Sequence, residues 1–134
     1  MNPTNLVFDG TRVMLLDWQT IAPNHPHYDL ATAAMFFRFD EETSQKLLGI
    51  YHGVPVDALP QTFRYYRRLA AVLSGSAALR MARLRGHAGG DVAVDAALSL
   101  GDVYQLLRSG SFDISSASGQ WTFGLALVKE GIAH

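Results

Sequence analysis

Two oxygen-bearing side chains near the start of the chain have the types and spacing of a metal site. Asn5 precedes and Asp17 ends a pair of short apolar runs that flank Asp9-Gly10-Thr11. An Asp-Gly turn between two such runs predicts a β-hairpin. If the loop spans residues 10–12, Asn5 lies opposite Asp17, and facing residues have Cβ atoms roughly 5 Å apart. A two-residue loop would shift this pairing. One carboxylate and one amide oxygen at that separation suit a hard divalent cation such as Mg²⁺.

The composition narrows the classes of function. The chain has 134 residues, of which 49% are hydrophobic and 17% charged, enough for one domain with a core. A net charge of −1 gives no electrostatic basis for binding nucleic acid or an anionic membrane. The absence of cysteine excludes a disulfide framework and a thiolate metal site. No signal-peptide pattern or membrane-length apolar run is present, so we expect a soluble, cytoplasmic protein.

Helical periodicity dominates after the hairpin. The strands are predicted at residues 6–9 and 12–17, and a loop with two prolines follows over residues 19–28. The predicted helices cover residues 29–39, 41–52, 58–85, 91–108 and 120–132. Asp29 is the candidate N-cap of the first helix, and Ser74-Gly75-Ser76 is a candidate kink in the longest. The sequence therefore predicts a mainly α fold of the α+β class, with an N-terminal β-hairpin and about five helices in one domain over residues 1–134.

Three motifs occur in order within the first 31 residues: NPTNLVFDG, LLDWQ and HYDLA. The stretch resembles the end of the catalytic loop and the following metal-binding segment of the aminoglycoside phosphotransferase and choline kinase group. These are protein-kinase-like enzymes that act on small molecules. In that group a loop of the form His-x-Asp-x-x-x-x-Asn precedes a hairpin, a hydrophobic-Asp-aromatic-Glu/Gln segment and a helix that starts at Asp-Leu-Ala. The resemblance implies a protein-kinase-like C-terminal lobe.

The resemblance also assigns roles to three residues. Asn5 matches the catalytic-loop Asn, a Mg²⁺ ligand, and Asp17 matches the second metal-binding carboxylate, which bridges the nucleotide phosphates. Asp29 matches the Asp of the Asp-Leu-Ala segment, which braces the catalytic loop and is not a catalyst. The implied cofactors are Mg²⁺ and ATP. The implied reaction transfers the γ-phosphoryl group to a hydroxyl of a small molecule, such as an amino sugar or an amino alcohol.

The catalytic Asp of the group lies five residues before the Asn, which here falls directly before Met1. No glycine-rich loop and strand Lys of a nucleotide-binding lobe is recognisable, and GHAGG at residues 86–90 lacks the ending of a phosphate loop. We therefore expect a truncated C-terminal-lobe fragment that is inactive alone and binds Mg²⁺ and ATP weakly or not at all. Its uncovered lobe interface is expected to expose apolar surface and to permit self-association.

Two alternatives remain open. In the first, the chain is a non-catalytic helical binding or regulatory module derived from this fold. In the second, it is part of an enzyme that a separate chain completes by supplying the other lobe. The fragment hypothesis requires coding sequence upstream of Met1. The completed enzyme requires a partner chain with a glycine-rich loop and a strand Lys, and the binding module requires a stable, soluble monomer.

The other polar clusters have simpler interpretations. His25 and His27 are expected in a solvated loop rather than at a metal, since no third ligand is evident. Six arginines on the longest helix are expected on a solvated face rather than in an anion site: Arg64, Arg67, Arg68, Arg80, Arg83 and Arg85. Four acidic residues are candidates for binding a cationic acceptor, and each is explained equally well as an N-cap or an exposed residue: Asp57, Asp91, Asp95 and Asp102.

Overall fold

The computed structural model describes residues 5–17, 22–90 and 94–133, and the chain divides into two compact units, Met1–Arg67 and Arg68–His134. The elements of the described residues are the strands β1 (Leu6–Phe8) and β2 (Val13–Leu15) and the helices α1 (Pro26–Phe36), α2 (Glu41–His52), α3 (Gln61–Leu84), α4 (Leu100–Arg108) and α5 (Ala117–Ile132). These elements confirm the mainly α fold with an N-terminal hairpin and five helices. The extent of a single domain over residues 1–134 and its assignment to a kinase-like lobe stay predictions.

The hairpin has a tighter turn than a three-residue loop would give. Its antiparallel strands pair Leu6 with Leu15, Val7 with Met14 and Phe8 with Val13. The Asp9 carboxylate accepts hydrogen bonds from the backbone N–H groups of Thr11 and Arg12, each at 2.9 Å. Gly10 adopts a φ of 98°, which glycine reaches without steric cost. These bonds place the tip of the turn at residues 10–11, so the register differs by one residue from the predicted pairing.

The first helix begins earlier than its sequence pattern predicts. His25, not Asp29, is the N-cap of α1, and its side chain accepts a hydrogen bond from the His27 backbone N–H. Pro26 then occupies the first helical position, where its fixed φ suits a helix and its missing N–H is not needed. Asp29 lies within the first turn, where a carboxylate interacts favourably with the helix dipole.

The core of the first unit comes from α1, α2 and the start of α3. Asp40 caps α2 by accepting a hydrogen bond from the Thr43 N–H at 2.8 Å, and Gly53 ends the helix in the left-handed conformation. The bounds of α2 match the predicted residues 41–52. Five apolar side chains form the buried cluster: Ala31, Ala34, Leu48, Leu59 and Phe63.

In the second unit, α3 and α5 approach closely at glycines. A Cβ at Gly75 would lie 2.7 Å from the Gly124 carbonyl oxygen, and one at Gly124 would lie 2.8 Å from the Leu79 side chain. The Arg68 guanidinium donates a hydrogen bond to the Gly131 carbonyl at 3.0 Å. The helix α3 continues through the candidate kink at residues 74–76. The absence of a side chain at Gly75 allows α5 to approach α3 closely there.

The helix predicted over residues 91–108 is only partly formed. A 3₁₀ turn occupies Val94–Ala96, and α4 begins at Leu100. Ser99 starts α4 because its hydroxyl accepts a hydrogen bond from the Asp102 N–H while the Asp102 carboxylate accepts one from the Ser99 N–H. This capping box fixes the helix start inside the predicted span. Asp91 lies outside the described residues. Over the described part of the chain, no helix has the length and apolarity needed to cross a membrane.

Candidate functional site

The two predicted metal ligands, Asn5 and Asp17, lie at the open end of the hairpin, one residue apart in strand pairing. The Leu16 backbone N–H donates a hydrogen bond to the Asn5 carbonyl at 2.7 Å. Leu16, not Asp17, is therefore the residue opposite Asn5, and Asp17 follows directly. The hairpin therefore has the two-residue loop, the alternative that shifts the pairing of Asn5 by one position, because the Asp9 turn sets the register.

The backbone of Asp17 departs from strand geometry. Its φ is 57°, in the left-handed region that non-glycine residues rarely adopt. An extended residue at this position would project to the face opposite Asn5 and Leu16, because side chains alternate along a strand. The left-handed φ interrupts that alternation. Such conformations cost about 1–3 kcal/mol and concentrate at functional sites.

The donor atoms at this site suit a hard cation. Asn5 is half-buried and Asp17 is exposed. The carboxylate and amide oxygens match the ligands that Mg²⁺ accepts, and Mg²⁺ commonly completes its shell with water and phosphate oxygens. Among residues 5–17, 22–90 and 94–133, no group of three or more His, Cys, Asp or Glu side chains is placed to hold a metal ion. A cation bound by these two side chains would keep most of its coordination shell for water and phosphate oxygens.

The third predicted residue, Asp29, lies on a different element, in the first turn of α1. Trp18 and Gln19, which complete the second motif, lie outside the described residues. The structure thus brings Asn5 and Asp17 to one end of the hairpin and presents Asp29 on the helix that follows. The bracing role of Asp29 stays a prediction.

The hairpin exposes apolar side chains. Phe8 is 66% exposed and Val13 is 65% exposed, and Leu16 beside Asp17 is also exposed. The expectation that an uncovered lobe interface exposes apolar surface stays a prediction. Whether the chain self-associates through this surface stays a prediction.

The first unit contains a cluster of histidines that the sequence pattern did not predict. His27 is only 8% exposed, so its assignment to a solvated loop is wrong. Its Nδ1 lies 2.9 Å from the Thr62 hydroxyl, and its Nε2 lies 3.4 Å from Nε2 of His52. Burial lowers the pKa of His27, and positive charge on His25 and His52 lowers it further. The sequence signal that places His27 in a helix and not in a loop is Pro26, since proline favours the first helical position.

Five of the six arginines on α3 and just after it form hydrogen bonds or an ion pair within their own unit. Arg64 forms an ion pair with Glu41 at 2.6 Å, and Arg67 donates to the Phe39 carbonyl at 3.1 Å. In the second unit, three arginines donate to backbone carbonyls, namely Arg68, Arg83 and Arg85. Every one of the six arginines except the half-buried Arg67 is exposed, so the predicted solvated face agrees with the structure, and these bonds add local contacts to it.

Among the acidic candidates for acceptor binding in the described residues, Asp102 has its carboxylate engaged in a helix cap. The Asp102 carboxylate belongs to the capping box of α4, and hydrogen bonds from Ser99 lower its pKa. Asp95 lies in the 3₁₀ turn, and its backbone carbonyl accepts a hydrogen bond from Lys129 at 2.8 Å. Asp57 is exposed between α2 and α3. A role for any of them in acceptor binding stays untested.

Comparison with known protein families matches residues 1–67 to the model of the phosphotransferase enzyme family. The matched segment contains Asn5, Asp17 and Asp29, and it ends at Arg67, the last residue of the first compact unit. No curated protein and no solved structure matches the chain. The family match confirms the resemblance to aminoglycoside phosphotransferase-like enzymes that the three motifs indicated. With half of its length matched, the chain belongs to the phosphotransferase enzyme family.

Proposed function

We propose that Asn5 and Asp17 hold Mg²⁺ against the phosphates of ATP in a kinase-like phosphotransferase. The parent enzyme would transfer the γ-phosphoryl group to a hydroxyl of a small molecule, such as an amino sugar or an amino alcohol. The observation that carries the proposal is the left-handed φ of 57° at Asp17, beside the residue paired with Asn5, inside the segment matched by the family.

The strained backbone supports a role for the Asp17 carboxylate. An extended residue at position 17 would carry its side chain on the face opposite Asn5. The conformation at Asp17 costs free energy that an extended residue would not. We infer that the turn redirects the carboxylate so that it and the Asn5 amide oxygen reach the same cation.

The bound metal would neutralise charge on the nucleotide phosphates as the phosphoryl group moves. Asn5 and Asp17 would each provide one side-chain ligand and fix where the metal lies relative to the hairpin. Asp29 would act indirectly, by bracing the catalytic loop that carries Asn5. Nucleotide phosphates and water would supply the remaining oxygens, as Mg²⁺ commonly requires.

We further infer that residues 1–134 alone give no turnover. The family motif places its base five residues before Asn5, and that position is not among these residues. Phosphoryl transfer depends on positioning and electrostatic stabilisation, and two metal ligands supply only part of each. The same reasoning predicts weak binding of Mg²⁺ and ATP by this chain alone.

The Asp17→Asn variant provides the sharpest test of the metal site. Asn keeps the size of the side chain and tolerates the left-handed conformation, but it lacks the carboxylate charge. Isothermal titration with ATP, with and without Mg²⁺, should show weak Mg²⁺-dependent binding that Asp17→Asn abolishes. The matched control is Asp57→Asn, which removes an exposed carboxylate from the same unit. Equal Mg²⁺-dependent binding by wild type and Asp17→Asn would refute the metal role.

A turnover assay tests the rest of the proposal. The chain is incubated with Mg-ATP and a panel of amino sugars and amino alcohols, and ADP release is followed. No turnover is expected from residues 1–134. Turnover that Asp17→Ala abolishes would show that the chain is active alone, and the preferred member of the panel would then identify the acceptor.

A further inference from the structure

Three helix ends of the first unit bring two imidazole rings together. His27 is the second residue of α1, and His52 is the last residue of α2. Their Nε2 atoms lie 3.4 Å apart, while their ring centroids are 5.6 Å apart. Because the nitrogens are much closer than the centroids, the two Nε2 atoms point toward each other. We propose that His27 and His52 bind a transition-metal ion of the Zn²⁺ type between these nitrogens.

The separation of the two nitrogens suits a shared metal. It exceeds the distances of about 2.7–3.2 Å that are typical of N–H hydrogen bonds in proteins. Zn²⁺ binds imidazole nitrogen at about 2.0–2.1 Å in tetrahedral geometry, which places two such nitrogens about 3.3–3.4 Å apart. The pair therefore already has the spacing of two Zn²⁺ ligands, without movement of either helix.

The surroundings of His27 hold its ring in place for binding. The side chain is 8% exposed, and the Thr62 hydroxyl in the first turn of α3 lies 2.9 Å from Nδ1. A hydrogen bond at the second ring nitrogen fixes the tautomer and orientation of metal-binding histidines. With Nδ1 directed at Thr62, Nε2 is left to face His52.

His52 adds access and a favourable field. It is exposed, so an ion and its water ligands can reach the pair from solvent. It also lies in the last turn of α2, where the helix dipole favours a positive charge. His25 has a different role, because its Nδ1 accepts the capping hydrogen bond from the His27 N–H at 3.1 Å.

The proposed site has two protein ligands, with water completing the coordination shell. Among the described residues, no third His, Cys, Asp or Glu side chain is placed to join them. Imidazole selects Zn²⁺, Cu²⁺, Ni²⁺ or Co²⁺ over Mg²⁺, which prefers oxygen. The site is thus chemically distinct from the one at Asn5 and Asp17, and its bound ion would fasten the start of α1 to the end of α2.

The test is a Zn²⁺ titration of the untagged chain by calorimetry, with a parallel Co²⁺ titration followed by visible absorbance. We expect one Zn²⁺ per chain at this site, an upward shift of the thermal midpoint, and no competition by Mg²⁺. His52→Ala changes an exposed side chain, so the variant should fold, and it should bind Zn²⁺ at least about tenfold more weakly. Thr62→Val should weaken binding by about tenfold and alter the Co²⁺ spectrum, as expected for a positioning residue, while Thr62→Ser should not.

Two controls separate this pair from the other histidines. His25→Asn keeps a good N-cap but removes the ring, and His87→Ala removes a histidine of the second unit; both should bind Zn²⁺ as wild type does. The proposal is overturned if wild type shows no Zn²⁺ binding, or if His52→Ala binds with unchanged affinity and stoichiometry. Loss of binding in His25→Asn alone would also overturn it. None of these outcomes depends on whether the chain binds Mg-ATP.

Discussion

Replacing Gly75 by Ala should destabilise the second unit, although the same change in an open helix stabilises it. Gly75 lies inside α3, where Ala is favoured over Gly by about 1 kcal/mol through helix propensity. The added Cβ, however, would lie 2.7 Å from the Gly124 carbonyl oxygen and 2.9 Å from the Val128 backbone nitrogen. Both neighbours are backbone atoms of α5, so a change of side-chain rotamer cannot relieve the contact.

The expected magnitude follows from the two opposing effects. Overpacking a close contact costs about 1–3 kcal/mol, and displacement of a whole helix belongs near the upper end of that range. Subtracting the gain in propensity leaves a net loss of about 1–2 kcal/mol in the free energy of unfolding. A loss of this size is large compared with the usual effect of a surface substitution.

Urea unfolding followed by the fluorescence of Trp121 in α5 measures the effect, in a Trp18→Phe background that removes the other tryptophan. The midpoint should fall while the m-value stays the same, because the unfolded state is not altered. The matched control is Ser76→Ala, an exposed neighbour on α3 whose propensity gain should give a slight stabilisation. If Gly75→Ala is as stable as wild type or more stable, the close packing of α3 against α5 is refuted.

Four further predictions test two helix caps, the backbone conformation of Asp17 and the exposed side chain of Phe8. Hydrogen bonds from Thr43 lower the pKa of Asp40 below its ordinary value of 3.8, so the stabilisation from the ionised cap is present above that pH and is lost as pH falls through the lowered pKa. Acid unfolding of Asp40→Asn, which keeps the cap but does not titrate there, should lack this loss; identical acid profiles would contradict it. Ser99→Ala should lower the free energy of unfolding by about 1 kcal/mol, measured with urea, since it removes the capping hydroxyl of α4. Asp17→Gly should be more stable than Asp17→Ala by about 1 kcal/mol in the same assay, because only glycine adopts a φ of 57° freely; equal stabilities would argue against the left-handed conformation. Wild type should self-associate in light scattering and Phe8→Ser should do so less, since Phe8 is 66% exposed; a clean wild-type monomer would exclude this surface as an interface.

Local patterns in the sequence predicted the elements that depend on local interactions. The Asp-Gly turn gave the hairpin, and the bounds of α2 were predicted to the residue because Asp40 and Gly53 mark its ends. The order of the three motifs predicted the family, which the match over residues 1–67 confirms, while the ligand roles of Asn5 and Asp17 stay predictions. Each of these signals lies within a few neighbouring residues, where turn, cap and motif chemistry acts.

The start of α1, the register of the hairpin and the start of α4 differed from their predictions, because more than one local conformation was compatible with the sequence. Asp29 was the predicted N-cap of α1, and the helix instead begins at Pro26 with His25 as its cap, because proline is favoured at the first helical position. The pairing of Asn5 turned on a one-residue change in loop length, which the Asp9 carboxylate fixed through its bonds to Thr11 and Arg12. In residues 91–108 helical spacing continued across Ser99, where the capping box begins a new helix.

Tertiary structure alone decided the contacts between residues far apart in the chain. His27 is 25 positions from His52 and 35 from Thr62, and the folding of α1, α2 and α3 around one core brings the three together. From the sequence, Gly75 was a candidate kink in a helix. In the structure it allows close contact with Gly124 of α5, and no sequence pattern connects the two glycines. Periodicity shows which face of a helix is apolar, but which helix that face meets is fixed only when the chain packs, since packing depends on the shapes of both surfaces.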